Sequence, residues 1–302
     1  MPVVVHHKSA VILVILSGAV ISTSGLFIRL LEEAEDWQTI FWRGLSLATG
    51  LSIALLAQHR SRFLFEFKRL GSVGFIGGLF NGGALVGFVL AVSNTTVANA
   101  VFTMGATPCF TALIAWLVLG ERLTLAIAIA IVATFGGISL MVSDGIATGT
   151  VFGNMMALLS AICIASFIVT LRKGRTTNML PAAVVGALFS AFLAALMMDG
   201  RLVIPWHDLV VCLILGGIIA NAAHILFIIS SPYLRGAEMS LLGSLEFVLG
   251  PFWVWIILNE EPSFTSLIGG TIVIGAVGVH ALLSLMKIRQ KNDIDNFTAA
   301  KP

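Results

Sequence analysis

The chain has 302 residues, 58% of them hydrophobic and only 11% charged, and its 17 Lys and Arg nearly balance 15 Asp and Glu. Water-soluble domains carry about 25% charged residues, so a chain this apolar is excluded from that class. A net charge of +2 gives no reason to expect nucleic-acid binding, and the informative feature is where the charges fall.

A membrane-spanning helix needs about 20 mostly apolar residues. Ten such stretches follow one another, near 9–31, 36–57, 71–92, 95–119, 123–142, 151–171, 178–198, 208–230, 235–258 and 263–285. They leave no room for a separate soluble domain, so the expected fold is an all-α membrane protein of ten transmembrane helices in the lipid bilayer. The first stretch follows Lys8 as a signal peptide would, but it is longer than one and lacks a small-x-small cleavage site, so it is expected to be retained. If the N-terminus is cytoplasmic, 14 of the 17 basic residues fall on that side, from Lys8 through the Arg60–Arg69 loop and the Arg172–Arg175 loop to the tail. This bias sets orientation. Both termini are therefore expected in the cytoplasm of a plasma (inner) membrane, with the acidic loop of Glu32, Glu33, Glu35 and Asp36 outside, together with Glu260 and Glu261.

In the second stretch Arg43 lies about seven residues in, roughly 10 Å from the outer end at 1.5 Å per residue and within snorkelling reach. Anchoring and capture of a substrate carboxylate are both open to it. The third stretch holds Asn81 at mid-span among closely spaced glycines such as Gly78 and Gly82, whose spacing permits close helix approach. In the fourth, Asn99, Thr103 and Thr107 form a polar stripe four residues apart, with Val101 on the face away from it. Threonine also bonds its own helix backbone, so a packing role competes. Pro108 is expected to kink this stretch, as Pro251 is the ninth.

The eighth stretch carries Asn221 and His224 three residues apart, expected on one face, where an amide and a titratable imidazole suit either helix packing or a substrate. The ninth, around LLGSLEFVLGPFWVWIIL, contains Glu246 at mid-depth, with Glu238 nearer the inner end and Val248 on an opposite face. A carboxylate at that depth costs at least about 2.5 kcal/mol, so it is expected to face a cavity or a partner. A protonated acid bonded to a neighbouring helix is the competing reading. His280 is expected at an interface. Cys109, Cys163 and Cys212 fall inside stretches without paired spacing, so neither a disulfide framework nor a zinc site is expected. No metal and no cofactor are expected.

Sliding the chain by 139 residues superimposes Gly77–Gly78 on Gly216–Gly217, Trp116 on Trp255, Leu119 on Leu258 and Glu121 on Glu260; a shift of 143 puts Ser17 on Ser160 and Arg29 on Arg172. Two repeats of five spans, over 1–142 and 151–285 with a cytoplasmic tail at 286–302, must enter the membrane from opposite sides because five is odd. Inverted repeats of this kind place a site near the midplane of secondary transporters. The candidate cavity residues are Asn81, Asn99, Thr103, Asn221, His224 and Glu246, with Arg43 as an anion contact. Glu121 and Arg122 are read as an inner helix-end motif.

The segments PCFTALIAWLVLGERLTL (108–125) and SLEFVLGPFWVWIILNEEPSF (244–264) resemble the helix-end signature of EamA-type transporters of the drug/metabolite transporter superfamily, and IFWRGL (40–45) is similar to that family's arginine motif. Phe247 stands where the family often has proline, and Asn259–Pro262 departs from Gly–Glu–Arg. The resemblance implies a secondary transporter of a small metabolite such as an amino acid, working as an exporter by alternating access, with protons as the candidate coupling ion. Monomer and dimer remain equal readings. An intramembrane enzyme is disfavoured because no Gly-x-Ser-x-Gly, His-Glu-x-x-His or Walker sequence occurs. A receptor or scaffold is disfavoured by the short loops.

Overall fold

The computed structural model describes residues 7–60, 63–120, 125–148, 150–234, 239, 242–276 and 278–279. Glu121, Arg122, Glu238, His280 and the tail at 286–302 lie outside them. Among the described residues the chain is all-helical. Seven helices among the described residues are long and apolar enough to cross a membrane: His7–Arg29, Asp36–Gln58, Gly71–Asn94, Val97–Leu119, Val151–Lys173, Leu180–Met197 and Trp206–Tyr233. Ala128–Leu140, Leu245–Leu258 and Phe264–Ala276 are shorter apolar helices.

Three of these elements are broken, and the breaks lie beside one another. The first divides into α1 (His7–Ile21) and α2 (Ser24–Arg29) at Ser22–Thr23. After α3 (Asp36–His59), a short α4 (Phe63–Arg69) and α5 (Gly71–Asn94), the next element divides into α6 (Val97–Met104) and α7 (Thr107–Leu119). Pro108 sits in the first turn of α7, where its missing N–H costs nothing, so the proline starts a new helix rather than bending an old one. Beyond α8 (Leu125–Thr148), α9 (Val151–Lys173) and α10 (Leu180–Met197), the helix from Trp206 runs as α11 (Trp206–Ile214), a π-helical segment (Leu215–Ala220) and α12 (Asn221–Ser230). α13 (Leu245–Leu258) continues through Pro251, and the turn lies at Ser244, which the 139-residue shift places on Gly105 at the α6–α7 break. The ends of α7 and α13 match as well: Gly120 (φ 67°) and Asn259 (φ 54°), again 139 apart, are left-handed caps. α14 (Phe264–Ala276) follows.

Packing has the same twofold character. α5 lies along α9 as α12 lies along α1, α5 meets α10 as the π segment and α12 meet α3, α3–α10 pairs equivalent helices, and α6 packs on α13, the equivalent of α7. Glycines allow the closest of these approaches. A Cβ on Gly78 would stand 2.7 Å from the Ala182 carbonyl, one on Gly82 2.6 Å from the Gly186 carbonyl, and one on Gly186 2.6 Å from the Gly78 carbonyl. With no hydrophobic drive between helices in lipid, such backbone proximity supplies the packing.

One end of the bundle is stitched by polar contacts. Asp208, in the first turn of α11 and fully buried, accepts the N–H groups of Glu32, Glu33 and Ala34 at 3.0, 2.9 and 2.7 Å. Arg201 pairs with Glu35 at 2.6 Å, and the Gln38 amide donates to the Arg201 carbonyl at 2.8 Å. Asn94 donates to Asp36 at 3.0 Å, and Arg29 meets Glu260 at 2.9 Å.

Candidate functional site

A cavity opens where the broken helices meet. Its wall takes Ile21, Ser22 and Gly25 from the α1–α2 break, Arg43 from α3, Asn81, Leu85 and Phe88 from α5, Val101 and Met104 from α6, His224 from α12, and Glu246 and Phe247 from α13. Most of this wall is apolar. Ser22 is already bonded, to the Ala19 carbonyl and from the Trp253 N–H, and four further side chains bring polar chemistry to it.

Arg43 is buried at 4% exposure. It does not snorkel; its guanidinium lies 5.3 Å from the centre of the Phe88 ring and donates to the Leu85 carbonyl at 3.4 Å, while Nε has no partner. No carboxylate pairs with it among the described residues. Burying an ion costs several kcal/mol, and a desolvated cation–π contact returns about 2 kcal/mol. Phe88 therefore offsets only part of the cost.

Glu246 occupies the first turn of α13 and is half-buried against the cavity. No hydrogen bond or ion pair to it occurs among the described residues, so the alternative of an acid bonded to a neighbouring helix has no donor in view. His224 and Asn81 form a pair. His224 Nδ1 is 2.8 Å from the Ala220 carbonyl, which only accepts, so Nδ1 carries the hydrogen. Nε2 then faces Asn81 Oδ1 at 3.3 Å, while Asn81 Nδ2 has no partner. Two arrangements satisfy the contact: an imidazolium donating from both nitrogens, or a neutral ring with the Asn81 amide turned to donate. Protonation of His224 is thereby tied to the orientation of one amide.

Of the sequence-derived candidates, the structure brings Asn81, His224, Glu246 and Arg43 to one cavity and leaves Asn99, Thr103 and Asn221 out of its wall. The stripe Asn99–Thr103–Thr107 is buried and turned away from it. Asn99 Nδ2 donates to Asn154 Oδ1 at 2.7 Å, and Ser266 donates to Asn99 Oδ1 at 3.3 Å, sewing α6 to α9 and α14. Thr107 bonds its own helix at Met104, and Thr103 Oγ1 has no partner. Because that polar face packs inward, the opposite face reaches the cavity, and Val101, expected to point away, is in the wall. Val248 is exposed outside it. Asn221 opens α12 directly after the π segment. Its amide donates to the Gly217 carbonyl at 3.2 Å and fills the space that a Cβ on Gly50 would need.

Sequence reasoning missed the apolar wall, because Phe88, Met104 and Phe247 look like any lipid-facing residue. It also missed Asp208 as the dock of the first loop; a carboxylate in the first turn of a helix was the available signal. Among the described residues no cluster of three His, Cys, Asp or Glu is placed to hold a metal. Cys109 and Cys212 are buried free thiols, and Cys163 is a half-buried one.

The model of the EamA-like transporter family matches residues 8–143 and again 151–281. A protein of known crystal structure, 18% identical, superposes with a TM-score of 0.64 over 92% of this chain and 98% of its own, so the fold is shared. No curated protein matches the sequence significantly.

Proposed function

The chain belongs to the EamA-like transporter family, within the drug/metabolite transporter superfamily, and from that premise we propose that it is a secondary transporter moving a small metabolite such as an amino acid by alternating access. The observation that carries this reading is a buried guanidinium without a counter-charge, Arg43, and a carboxyl without a hydrogen-bond partner, Glu246, in one mostly apolar cavity. A ligand bearing an acid and an amine neutralises both, while Phe88, Val101 and Met104 take its apolar part. Charge neutralisation in a low-dielectric site is worth far more than the same contact in water. A scaffold has no use for such a cavity.

Two five-helix repeats, over 1–142 and 151–285, complete the proposal, with the second inverted. What supports inversion is the stitched end of the bundle. The first helix ends there at Arg29, whereas its equivalent α9 begins there, since Asn154 bonds Asn99. α3 begins there at Asp36 and α10 ends there beside Arg201. α5 ends there at Asn94 while α11 begins there at Asp208, and α6 begins there while α13 ends there at Glu260. The charge bias makes this end the outer one, with both termini in the cytoplasm and an inner-membrane location.

Glu246 is assigned the coupling or amine-binding role: a carboxyl that gives up its proton when a cationic group arrives is the simplest basis for antiport, and export follows if the proton enters. The test is flux of a panel of solutes into and out of proteoliposomes holding the purified protein. Accumulation of amino acids driven by an imposed proton gradient supports the reading, and absence of flux for every solute removes it.

A further inference from the structure

His224 and Arg43 are fastened to the same stretch of α5. Arg43 donates to the Leu85 carbonyl at 3.4 Å, and His224 Nε2 meets Asn81 Oδ1 at 3.3 Å. Asn81 and Leu85 are four residues apart, a rise of about 6 Å along the helix. Glu246 comes to the cavity from a different helix, α13. One wall therefore carries a guanidinium and an imidazole within a turn of each other, and the acid stands apart from them.

The contacts of His224 let it titrate in place. Nδ1 donates to the Ala220 carbonyl at 2.8 Å in either protonation state, because a carbonyl only accepts. The proton therefore comes and goes at Nε2, which faces Asn81. An amide suits both states: its oxygen accepts from the imidazolium and its nitrogen, turned over, donates to the neutral ring. Asn81 packs over Gly186 of α10, where a Cβ would stand 2.7 Å from Nδ2. Nδ2 makes no hydrogen bond there, so turning the amide over forfeits none. The repeat supplies the contrast. Asn221 packs over Gly50 of α3 in the same way, but its Nδ2 donates to the Gly217 carbonyl at 3.2 Å, which holds the amide one way round. Asn221 lines no part of the cavity wall. Packing an amide over glycine thus needs no histidine, and only Asn81 of the two has a titratable partner.

Among the described residues, the charged or titratable groups that share the cavity with His224 are Arg43 and Glu246. α5, α10 and the π segment carry none. Of the other elements packed on α12, α1 has His7 and Lys8 in its first turn, far from the Ser17 that bonds Ala223, α3 has Asp36 and His59 at its two ends, and Tyr233 lies past the end of α12.

We infer that His224 is a second proton-binding group of the solute site, taking a proton from solvent as a solute carboxylate settles on Arg43, with Asn81 as the positioning residue that accommodates both states. The inference rests on the transport site proposed above. An imidazolium beside the guanidinium alone puts two cations on one turn of α5, and an anion between them removes that repulsion. Proton exchange then follows the charges of the solute: a carboxylate recruits a proton to His224, an amine displaces one from Glu246, and a zwitterion does both.

The test uses 4-methylpentanoate, a probe with a carboxylate and no amine, and purified protein carrying Glu246→Gln so that Glu246 does not titrate. Its affinity should tighten roughly fivefold or more from pH 8 to pH 6, since coupled sites commonly show factors of that size. Adding His224→Gln, or Asn81→Leu, should make it flat. Tightening that survives His224→Gln overturns the inference, and tightening that survives Asn81→Leu overturns the role of Asn81. A second measurement needs no cavity variant beyond the one that assigns the signal: nitrogen-15 NMR of the parent labelled at its six histidines, with His224 identified by its loss in His224→Gln or His224→Asn. Its ring should be neutral with the hydrogen on Nδ1 when the probe is absent at pH 6, and charged when the probe is bound. A ring that titrates identically with and without bound probe makes His224 a packing residue. Absence of probe binding at every pH removes the transport site and this inference with it, whereas binding without the His224 response removes this inference alone.

Discussion

Asn99 and Glu246 are both polar residues buried in otherwise apolar helices, on elements that the internal repeat relates, and the structure gives them opposite surroundings. Around Asn99 every polar atom is used: its amide reaches Asn154 and Thr95, its carbonyl takes Ser266, and its N–H takes the Thr96 cap. Beside the cavity, Glu246 has no hydrogen bond or ion pair among the described residues, and Arg43 has the Leu85 carbonyl and the Phe88 ring but no carboxylate, with Nε unpartnered. A satisfied polar group in lipid holds helices together, whereas an ionisable group without a counter-charge beside open space is placed to take a solute. The distinction lies in the bond inventory, and residue type does not reveal it.

The sharpest way to break this contrast is to remove a charge on the cavity side. Arg43→Met should lower transport of solutes carrying a carboxylate by roughly 30-fold or more, the scale of a lost buried charge contact at 2–5 kcal/mol. The same variant should melt no lower than the parent in detergent, because an unpaired buried ion has been taken away. Lower stability with normal flux would move Arg43 to the structural side. The seam should answer in reverse. Asn99→Ala strips partners from Asn154 and Ser266, so it should destabilise by about 1–3 kcal/mol, read as a fall in melting temperature, with flux per folded molecule unchanged. Thr103 supplies the smallest and most discriminating case. Its hydroxyl has no partner, so Thr103→Val should be neutral or stabilising by at most about 1 kcal/mol; a clear loss of stability or of transport would show that the hydroxyl is used.

Much of the helical framework could be read from the sequence, because apolar length is a strong signal and the Trp–x–x–Leu–x–Glu repeat keeps identical spacing. The matching caps at Gly120 and Asn259 and the matching turns at Gly105 and Ser244 were implicit in the same shift. The site was legible where a residue's cost in lipid demands an explanation, as for Glu246, and where repeat-related amides hinted at a shared depth, as for Asn81. It was not legible on α6. A polar stripe marks the face that leaves the lipid, and both a helix seam and a cavity satisfy that condition. Only the positions of Asn154 and Ser266 on other helices decide between them. Asn221 was misdirected for a local reason: it shares α12 with His224, but its amide turns back to the Gly217 carbonyl and packs against Gly50, so it does not reach the wall that His224 lines.

The central claim is that Glu246 acts on the solute and does not serve packing. Glu246→Gln keeps the shape, removes titration and leaves an amide that lipid tolerates no worse than an acid. The direct measurement is solute flux by this variant in proteoliposomes, driven once by a proton gradient and once by counterflow exchange at equal pH. Loss of gradient-driven accumulation with exchange retained assigns Glu246 to coupling, and loss of both assigns it to binding the amine. A variant that accumulates solute at the parent rate, with unchanged dependence on pH, would contradict the account.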